Sequence, residues 1–413
     1  MNFIDLFAGA GGLSEGFMRA GYKPIAHVEF DEAACFTLKT RQAYYFLKQN
    51  NKEYIYIDYL KGAITRDDLY SCIPDEILSS VINKTIGQDN QSIFKEIEKQ
   101  LYNHEVDFII GGPPCQAYSL VGRARDENNM EKDKRNYLYI QYNKFLNKYK
   151  PKFFVFENVP GLLSARSGRY YNNMKNLFDK SGYHIELFSL SANNFGVLQN
   201  RKRLLIIGYK KEFNITLPDL GNYNAGLFST VQSVFSDLPK LQAGDGVEKF
   251  VTYAGKTNTW LTDSNIRNGI KVLTQHVARP HTNQDKEIYR IAVDKWNNEK
   301  KRLDYNNLPE NLKTHNNRHS FFDRFKVVAA DMPYSHTVVA HIAKDGHYYI
   351  HPDIEQNRSI TVREAARLQS FPDDFFFEGV KERQSRTAAF KQIGNAVPPL
   401  MAYCISKKLK SIK

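Results

Sequence analysis

The segment Asn2–Leu13 reads NFIDLFAGAGGL, and this stretch decides the fold. Its first half, Asn2–Phe7, has the apolar composition of a buried strand, and three glycines follow within Ala8–Gly12. Glycines at a strand-to-helix turn let a ligand approach the backbone closely, and the N-terminus of the next helix favours negative charge. The pattern therefore predicts the start of an α/β domain with a ligand-binding turn. A nicotinamide fingerprint would place a third glycine where this chain has Ser14, which disfavours a dehydrogenase.

Short apolar runs alternate with amphipathic stretches through the first two hundred residues. The predicted strands are Phe3–Phe7, Pro24–Phe30, Val106–Gly111, Phe153–Glu157, His184–Leu190 and Leu204–Tyr209. The predicted helices between them are Gly12–Ala20, Asp31–Phe46 and Asn136–Tyr149. Strands that alternate with helices predict a parallel sheet covered by helices on both faces. Residues 60–105 form a longer polar and helical insertion whose function cannot be read from the sequence.

The composition changes near residue 213. From there to about residue 357 the chain is rich in Asn, Gly, Tyr and His, and its apolar runs are short. Eight of the eleven histidines lie between His276 and His351, but their spacings match no metal-ligand pattern, so polar surface is favoured and no metal site is predicted. Helical patterns return at Thr361–Gln369 and Pro399–Leu409. The segment is therefore interpreted as an insertion between the main body of the α/β domain and its last helices.

The whole-chain composition narrows the class of protein. The chain has 413 residues, 42% of them hydrophobic and 13% aromatic, which predicts a globular fold with room for two domains. The excess of 57 Lys and Arg over 45 Asp and Glu gives a net charge of +12, which fits either a polyanionic partner or a basic, solvated surface. No apolar run reaches the roughly 18 residues of a membrane helix, and the first strand leaves no room for a signal peptide. The four cysteines lie far apart, so a cytoplasmic protein without disulfides or a membrane partner is expected.

The second predicted strand ends in an acidic residue. Glu29 follows Gly11 by about eighteen residues, and an acid at this position can accept hydrogen bonds from the ribose hydroxyls of an adenosine cofactor. Phe30 would stack on the adenine, and Asp58, after the apolar Ile55–Ile57, would accept from its amino group. The alternative is a plain strand-to-helix turn with a surface acid.

A cysteine follows the strand that ends at Gly111. The segment Gly111–Ser119 reads GGPPCQAYS, in which two glycines and two prolines predict a rigid extended turn. Open α/β sheets bind ligands at the carboxyl ends of their strands, so Cys115 is interpreted as a presented nucleophile. For an isolated cysteine, a buried small apolar residue would be the better interpretation.

Two further polar clusters flank predicted strands. Glu157 follows Phe153–Phe156 and should lie at the same edge as Cys115. Gln199, Arg201 and Arg203 alternate before the next strand and should face one side. Taken singly, each of these charges would be interpreted as an ordinary surface ion pair.

Together these segments resemble the DNA cytosine-5 methyltransferase family, closely and in order. The blocks span nearly the whole chain, and PPCQ followed by ENV and QxRxR is a highly specific pattern. Tyr118 stands where the family often has phenylalanine. The matching blocks are DLFAGAGG from Asp5, Glu29, GGPPCQAYS from Gly111, ENV from Glu157, QNRKR from Gln199, REAARLQSFP from Arg363 and GNAVP from Gly394.

The resemblance implies a fold, partners and contacts. It implies a Rossmann-like S-adenosylmethionine-dependent methyltransferase domain at residues 1–212 and a smaller, irregular, mostly β target-recognition domain at residues 213–357. Residues 358–413 would form the hinge and return the chain to the catalytic domain. S-adenosyl-L-methionine is the implied cofactor, and double-stranded DNA the implied partner of a monomer that shares its site with a cognate restriction endonuclease. The implied cofactor contacts are Phe7, Gly9, Ala10, Gly11, Gly12, Glu29, Phe30, Asp58, Tyr59, Pro114, Asn395 and Val397.

The resemblance also implies the roles of four catalytic residues. Carbon 5 of cytosine is a poor nucleophile, and addition of the Cys115 thiolate to carbon 6 makes it an enamine carbon that can attack a methyl sulfonium. Glu157 would contact N3 and the amino group, Arg203 would hold the base oxygen, and Arg201 would organise the pocket. The reaction requires a cytosine flipped out of the duplex.

Two other interpretations stay open at this point. One is an RNA cytosine-5 methyltransferase of the same fold, although the long recognition segment favours DNA. The other is a catalytically silent DNA-binding protein, against which the intact Cys115, Glu157 and Arg203 argue. Methylation of amino nitrogens is disfavoured because it normally uses a PPY-type tetrad rather than PPCQ.

Overall fold

A computed structural model describes residues 1–114, 137–247, 250–316, 318–383 and 385–412. A seven-stranded sheet with the order β3-β2-β1-β4-β5-β7-β6 lies at its centre. The strands are β1 Asn2–Leu6, β2 Lys23–Glu29, β3 Val81–Asn83, β4 Phe108–Gly111, β5 Phe153–Asn158, β6 Tyr183–Ser191 and β7 Lys202–Lys210.

The sheet is mixed rather than wholly parallel. Strands β1 to β5 pair in parallel, whereas β7 lies antiparallel between β5 and β6. The chain from β6 to β7 spans only residues 192–201, which is too short for the helical crossover that parallel pairing requires. The first residues of β7 therefore lie at the edge where β5 ends, and Asn158 pairs with Leu204.

Alternate strand residues face two apolar layers. In β1 and β4, Ile4 and Ile109 pack in the layer that contains Tyr142 of the helix after β4, whereas Phe3 and Phe108 pack in the opposite layer. Before residue 200, the helices in the described part of the chain are α1 Gly12–Arg19, α2 Glu32–Gln49, α3 Glu53–Lys61, α4 Arg66–Ser71, α5 Asp75–Ser79, α6 Asn90–Leu101, α7 Leu138–Tyr149, α8 Gly161–Ser164 and α9 Arg169–Lys180. Later helices are α10 Thr259–Asp263, α11 Asn283–Glu299, α12 Arg318–Phe321, α13 Val362–Leu368, α14 Arg386–Asn395 and α15 Pro399–Lys410.

The six predicted strands and the predicted helices are confirmed within a few residues. Residues 60–105 are helical as predicted, in α4, α5 and α6, but they also contain the edge strand β3, which was not predicted. β3 has three residues, too few to produce a readable alternation. The apolar run Ile55–Ile57 belongs to helix α3.

Residues 213–357 are irregular as predicted, but the expected mostly β composition is wrong for the part that the structure describes. The strand-like contacts there are isolated bridges, such as Val251 with Leu273 and Val327 with Ile350. The regular elements are α10, α11, α12 and single 3-10 turns such as Val231–Val234 and Ala340–Ala343. The apolar runs are too short to sustain a ladder, so their side chains pack from turns and short helices.

The end of the chain packs on its beginning. A Cβ at Gly16 in α1 would overlap Ala402 and the backbone of Tyr403 in α15, and a Cβ at Gly12 would overlap the carbonyl oxygen of Val397. These two glycines let the backbone of α1 approach the returning chain directly. Among the described helices, none has the length and apolar character to cross a membrane.

We predict that Gly16→Ala lowers the free energy of unfolding by about 1–3 kcal/mol, because the new methyl group would overpack the α1–α15 contact. The loss should occur although alanine is favoured over glycine in a helix by about 1 kcal/mol. Urea unfolding measures the difference. Gly221→Ala is the control, because the nearest atom to a Cβ there lies 3.4 Å away; equal stability of the two variants would contradict the packing argument.

Candidate active site

The turn after β1 is held in an unusual backbone conformation. Phe7, Gly9 and Gly11 have φ values of 59°, 55° and 79°, in the left-handed region that disfavours side chains with a Cβ. The backbone N–H of Gly9 donates to Oε2 of Glu29 at 2.7 Å, which ties the turn to the end of β2. A Cβ at Gly9 would meet nothing within 4 Å, so the backbone borders open space. Ala10 and Gly12 are buried behind this opening.

Glu29 is only 6% exposed and lies at the floor of this space. Its Oε1 accepts from the backbone N–H groups of Phe30 and Asp31, both at 2.9 Å. Burial raises the pKa of Glu29, while the backbone donors at Asp31, Gly9 and Phe30 act in the opposite direction. The ring of Phe30 is 56% exposed beside this carboxyl, as an aromatic platform requires.

The structure brings Asn83, and not Asp58 or Tyr59, to this edge. Asn83 ends β3, and its Nδ2 donates at 3.1 Å to the carbonyl oxygens of both Glu29 and Phe30. Its Oδ1 has no hydrogen bond to the described residues. Asp58 and Tyr59 lie in α3, where the fully buried Tyr59 donates to Oε1 of Glu378. In the sequence, the short run VIN at Val81–Asn83 is the feature that indicates this strand.

An ion pair lies at the carboxyl end of β5. Oε1 of Glu157 is 2.6 Å from Nε of Arg203, and both residues are 9% exposed. Burial raises the pKa of Glu157, and the charges of Arg203 and Arg201 oppose this shift. A Cβ at Gly112 would lie 2.5 Å from Oε2 of Glu157, so the chain that leaves β4 passes directly over this carboxyl. Cys115 lies outside the described residues, three positions after Gly112, and Pro114 between them is partly buried.

Arg201 is fully buried behind this pair. Its Nη1 donates to Val338 O at 2.7 Å, and its Nη2 donates at 2.9 Å to both Gly394 O and Ala396 O. The returning chain thereby passes from Arg201 to the glycine turn, where Val397 O lies beside Gly12, whereas Asn395 is exposed. Arg201 therefore holds its own segment, residue 338 and the returning chain at residues 394–396 together, and we interpret it as a positioning residue.

The comparisons with known proteins agree along the whole chain. The model of the C-5 cytosine-specific DNA methylase family matches residues 1–81 and 75–411. The chain belongs to this family. It is a DNA (cytosine-5)-methyltransferase, and the family uses S-adenosylmethionine as its methyl donor.

The relatives of this methylase include enzymes of restriction–modification systems. It is 42% identical to a type II methyltransferase of Bacillus paralicheniformis over 448 aligned positions, which cover 100% of the methylase and 99% of the relative. A type II methyltransferase of Desulfomicrobium norvegicum is 31% identical, with 99% and 88% covered. Among solved structures, a prophage-encoded Escherichia coli chain described as a DNA modification methyltransferase has a TM-score of 0.65 at 24% identity, covers 99% of the methylase and shows the same fold.

We predict that Arg201→Lys lowers the free energy of unfolding of the methylase by roughly 2–4 kcal/mol, because one ammonium group cannot reach three buried carbonyl oxygens and leaves some unsatisfied. Arg203→Lys should cost less than half as much, since its side chain lies at the rim and its partner Glu157 stays within reach of a lysine. Chemical denaturation of both variants tests this. An equal loss of unfolding free energy in the two variants would show that Arg201 contributes no more to stability than Arg203.

Proposed function

We propose that this methylase transfers a methyl group to carbon 5 of a flipped-out cytosine in double-stranded DNA, through a covalent adduct with Cys115. The supporting observation is the buried Glu157–Arg203 pair, which lies directly beside the backbone that leads to Cys115. Its 2.6 Å contact joins a buried carboxyl group and a cation at the sheet edge that also holds the glycine turn.

The environment of Glu157 suits contact with a cytosine ring. Because burial raises its pKa, Glu157 can give a proton to N3 of cytosine, or share one with it, while negative charge develops there. Arg203 uses Nε for Glu157 and Nη1 for the carbonyl oxygen of Lys202, and its Nη2 has no hydrogen bond to the described residues. This Nη2 would donate to O2 of the cytosine.

Cys115 would supply the nucleophile. Its thiolate would add to carbon 6 and make carbon 5 nucleophilic, and after methylation, in which S-adenosylhomocysteine departs, loss of the carbon 5 proton to a base would let the thiolate leave. When bound, S-adenosylmethionine supplies the methyl group as a sulfonium. The cradle of Gly9, Glu29, Phe30 and Asn83 fits its adenosine: a carboxyl for the ribose, an exposed ring for the base, and the free Oδ1 of Asn83 for the adenine amino group.

The biological setting follows from the type II relatives. We propose that residues 213–357 recognise the DNA sequence and that residues 1–212 carry out catalysis, with residues 358–413 returning the chain to the catalytic domain. The modified site would be shared with a cognate restriction endonuclease, and the enzyme would act as a monomer on DNA in the cytoplasm. The net charge of +12 favours contact with phosphates.

A duplex with 5-fluorocytosine at the methylated position should trap the enzyme. The fluorine cannot leave as a proton does, so the thioether at Cys115 should persist after methyl transfer and resist denaturation. The adduct should require S-adenosylmethionine, and denaturing electrophoresis with mass spectrometry locates it.

The matched variants are Cys115→Ala and single alanine variants of Cys35, Cys72 and Cys404. Cys115→Ala should abolish both the adduct and methylation but leave DNA affinity largely intact, whereas the other three should trap normally. Cys35 and Cys404 are buried, and burial raises the pKa of Cys35 to about 12. An adduct that survives Cys115→Ala would overturn the covalent mechanism.

Glu29→Ala should weaken cofactor binding by about 1.5–3 kcal/mol, because a charged acceptor is lost and the Gly9 turn is released. Asn83→Ala should cost about 1 kcal/mol through loss of its Oδ1 and of the contacts that hold Phe30. Asp58→Ala should leave the affinity unchanged, because its helix does not reach the cradle. Calorimetry with S-adenosylhomocysteine compares the three, and a larger effect of Asp58→Ala than of Asn83→Ala would reverse the assignment.

A further inference from the structure

The loop Asp373–Arg383, here called the crossing loop, is bonded by two parts of the molecule. Its residues up to Gly379 are buried, although they belong to no helix or strand. Buried backbone groups need partners, and without regular structure the loop must obtain them from its neighbours. The position of the loop therefore depends on the elements that supply these partners.

Two arginines connect the crossing loop to helices α3 and α4, one from a helix to the loop and the other from the loop to a helix. Arg66 of α4 donates from Nη1 to Gly379 O at 2.9 Å and from Nη2 to Val380 O at 3.0 Å. Arg383 of the crossing loop donates in return to the carbonyl oxygens of Tyr59 and Leu60 in α3. We call this pair, Arg66 and Arg383, the arginine clasp.

A buried carboxyl lies inside the clasp. Glu378 is fully buried, and its Oε1 accepts from the hydroxyls of Tyr59 at 2.5 Å and Thr40 at 2.8 Å. Nη1 of Arg66 lies 3.7 Å from its Oε2. Helices α2, α3 and α4 thus hold the crossing loop through both its backbone and a side chain.

The second part of the molecule that bonds the crossing loop is the segment of residues 253–275. The side-chain amide of Gln275 accepts from Phe377 N at 3.1 Å and donates to Phe377 O at 2.8 Å, as a neighbouring strand would. Asp373 N donates to Ile266 O at 2.9 Å, and the hydroxyl of Tyr253 donates to Oδ2 of Asp373 at 2.9 Å. The clasp and the segment 253–275 therefore bond the same loop, the clasp at Gly379–Arg383 and the segment at Asp373 and Phe377.

We propose that the arginine clasp positions the DNA-recognition segment over the catalytic edge, so that Arg66 and Arg383 are positioning residues for the DNA substrate. This inference rests on the proposed assignment of residues 213–357 to DNA recognition. It gives the inserted helices α3 and α4 a function: they support the same crossing loop that the recognition segment bonds. The clasp touches neither the cofactor cradle nor the Glu157–Arg203 pair.

The test compares Arg66→Ala, Arg383→Ala and the more conservative Arg66→Lys with the unmodified full chain. A loosened recognition segment should raise the KM for cognate DNA about tenfold and raise the relative rate at near-cognate sites, because charge-assisted bonds are lost. The affinity for S-adenosylhomocysteine and kcat at saturating DNA should change less than about twofold. Arg66→Lys should lie between the alanine variant and the unmodified enzyme.

Lys152→Ala is the matched control, because its ion pair with Asp107 lies at the opposite edge of the sheet. It should leave the KM for DNA and the site preference unchanged. A clasp variant with a lowered melting temperature but unchanged KM and site preference would overturn the proposal and leave only a structural role. Equal losses of cofactor and DNA affinity would overturn it as well.

A separate exchange distinguishes failure of the clasp from failure of the proposed function. Residues 213–357 are replaced by the corresponding segment of the Bacillus paralicheniformis relative, and methylated sites are mapped by bisulfite sequencing. If the exchange moves the methylated sequence and the clasp variants change nothing, the clasp proposal alone is wrong. If the methylated sequence stays the same, the recognition assignment fails, and the clasp proposal with it.

Discussion

The arrangement of the active site depends on the hydrogen bonds that the guanidinium of Arg201 donates. Three backbone carbonyl oxygens converge on it: one from residue 338 and two from the returning chain at residues 394 and 396. Arg201 immediately precedes β7, and the antiparallel direction of β7 places that end of the strand beside the end of β5. One buried cation thus sets the distance between the Glu157–Arg203 pair, the inserted segment and the glycine turn. A planar fork with several donors suits this task, whereas an ammonium group does not.

Paired charges also fill the junction between the inserted segment and the last helices. Arg358 makes a bidentate contact with Glu364 at 2.7 and 2.8 Å, and Arg367 makes another with Asp373 while it also reaches Asp237. All five side chains are essentially buried. Burial alone would raise the pKa of Glu364, but Arg358 outweighs this effect and holds it well below its usual range. Pairs of this kind add little net stability, yet removal of one partner leaves an uncompensated charge and is strongly destabilising.

Such a junction restricts how the inserted segment sits against the sheet. Apolar surfaces tolerate sliding, whereas bidentate pairs satisfy their donors and acceptors in one arrangement only. The arginines of the block REAARLQSFP bond the inserted segment directly, Arg363 at Thr274 O and Arg367 at Val234 O, and the crossing loop that follows is bonded by both that segment and the arginine clasp. The Glu157–Arg203 pair, in contrast, is a single ion pair at the sheet edge.

The sequence by itself determined the α/β class, most element positions and the family. Strand alternation and the glycine turn are local patterns, and the motif blocks around Glu157 and Arg203 are specific enough to indicate the family. Only the tertiary structure decided that Asn83 lies beside Glu29 and Phe30 whereas Asp58 lies in helix α3, because a strand of three residues at the sheet edge has no periodic signal. It also decided that residues 213–357 fold without a regular sheet, since their core is assembled from side chains distant in sequence. The contacts of Arg201 and of the arginine clasp were likewise decided only by the tertiary structure, because their acceptors are backbone carbonyl oxygens. Every residue carries such an oxygen, so no sequence pattern can distinguish the ones that these arginines bind.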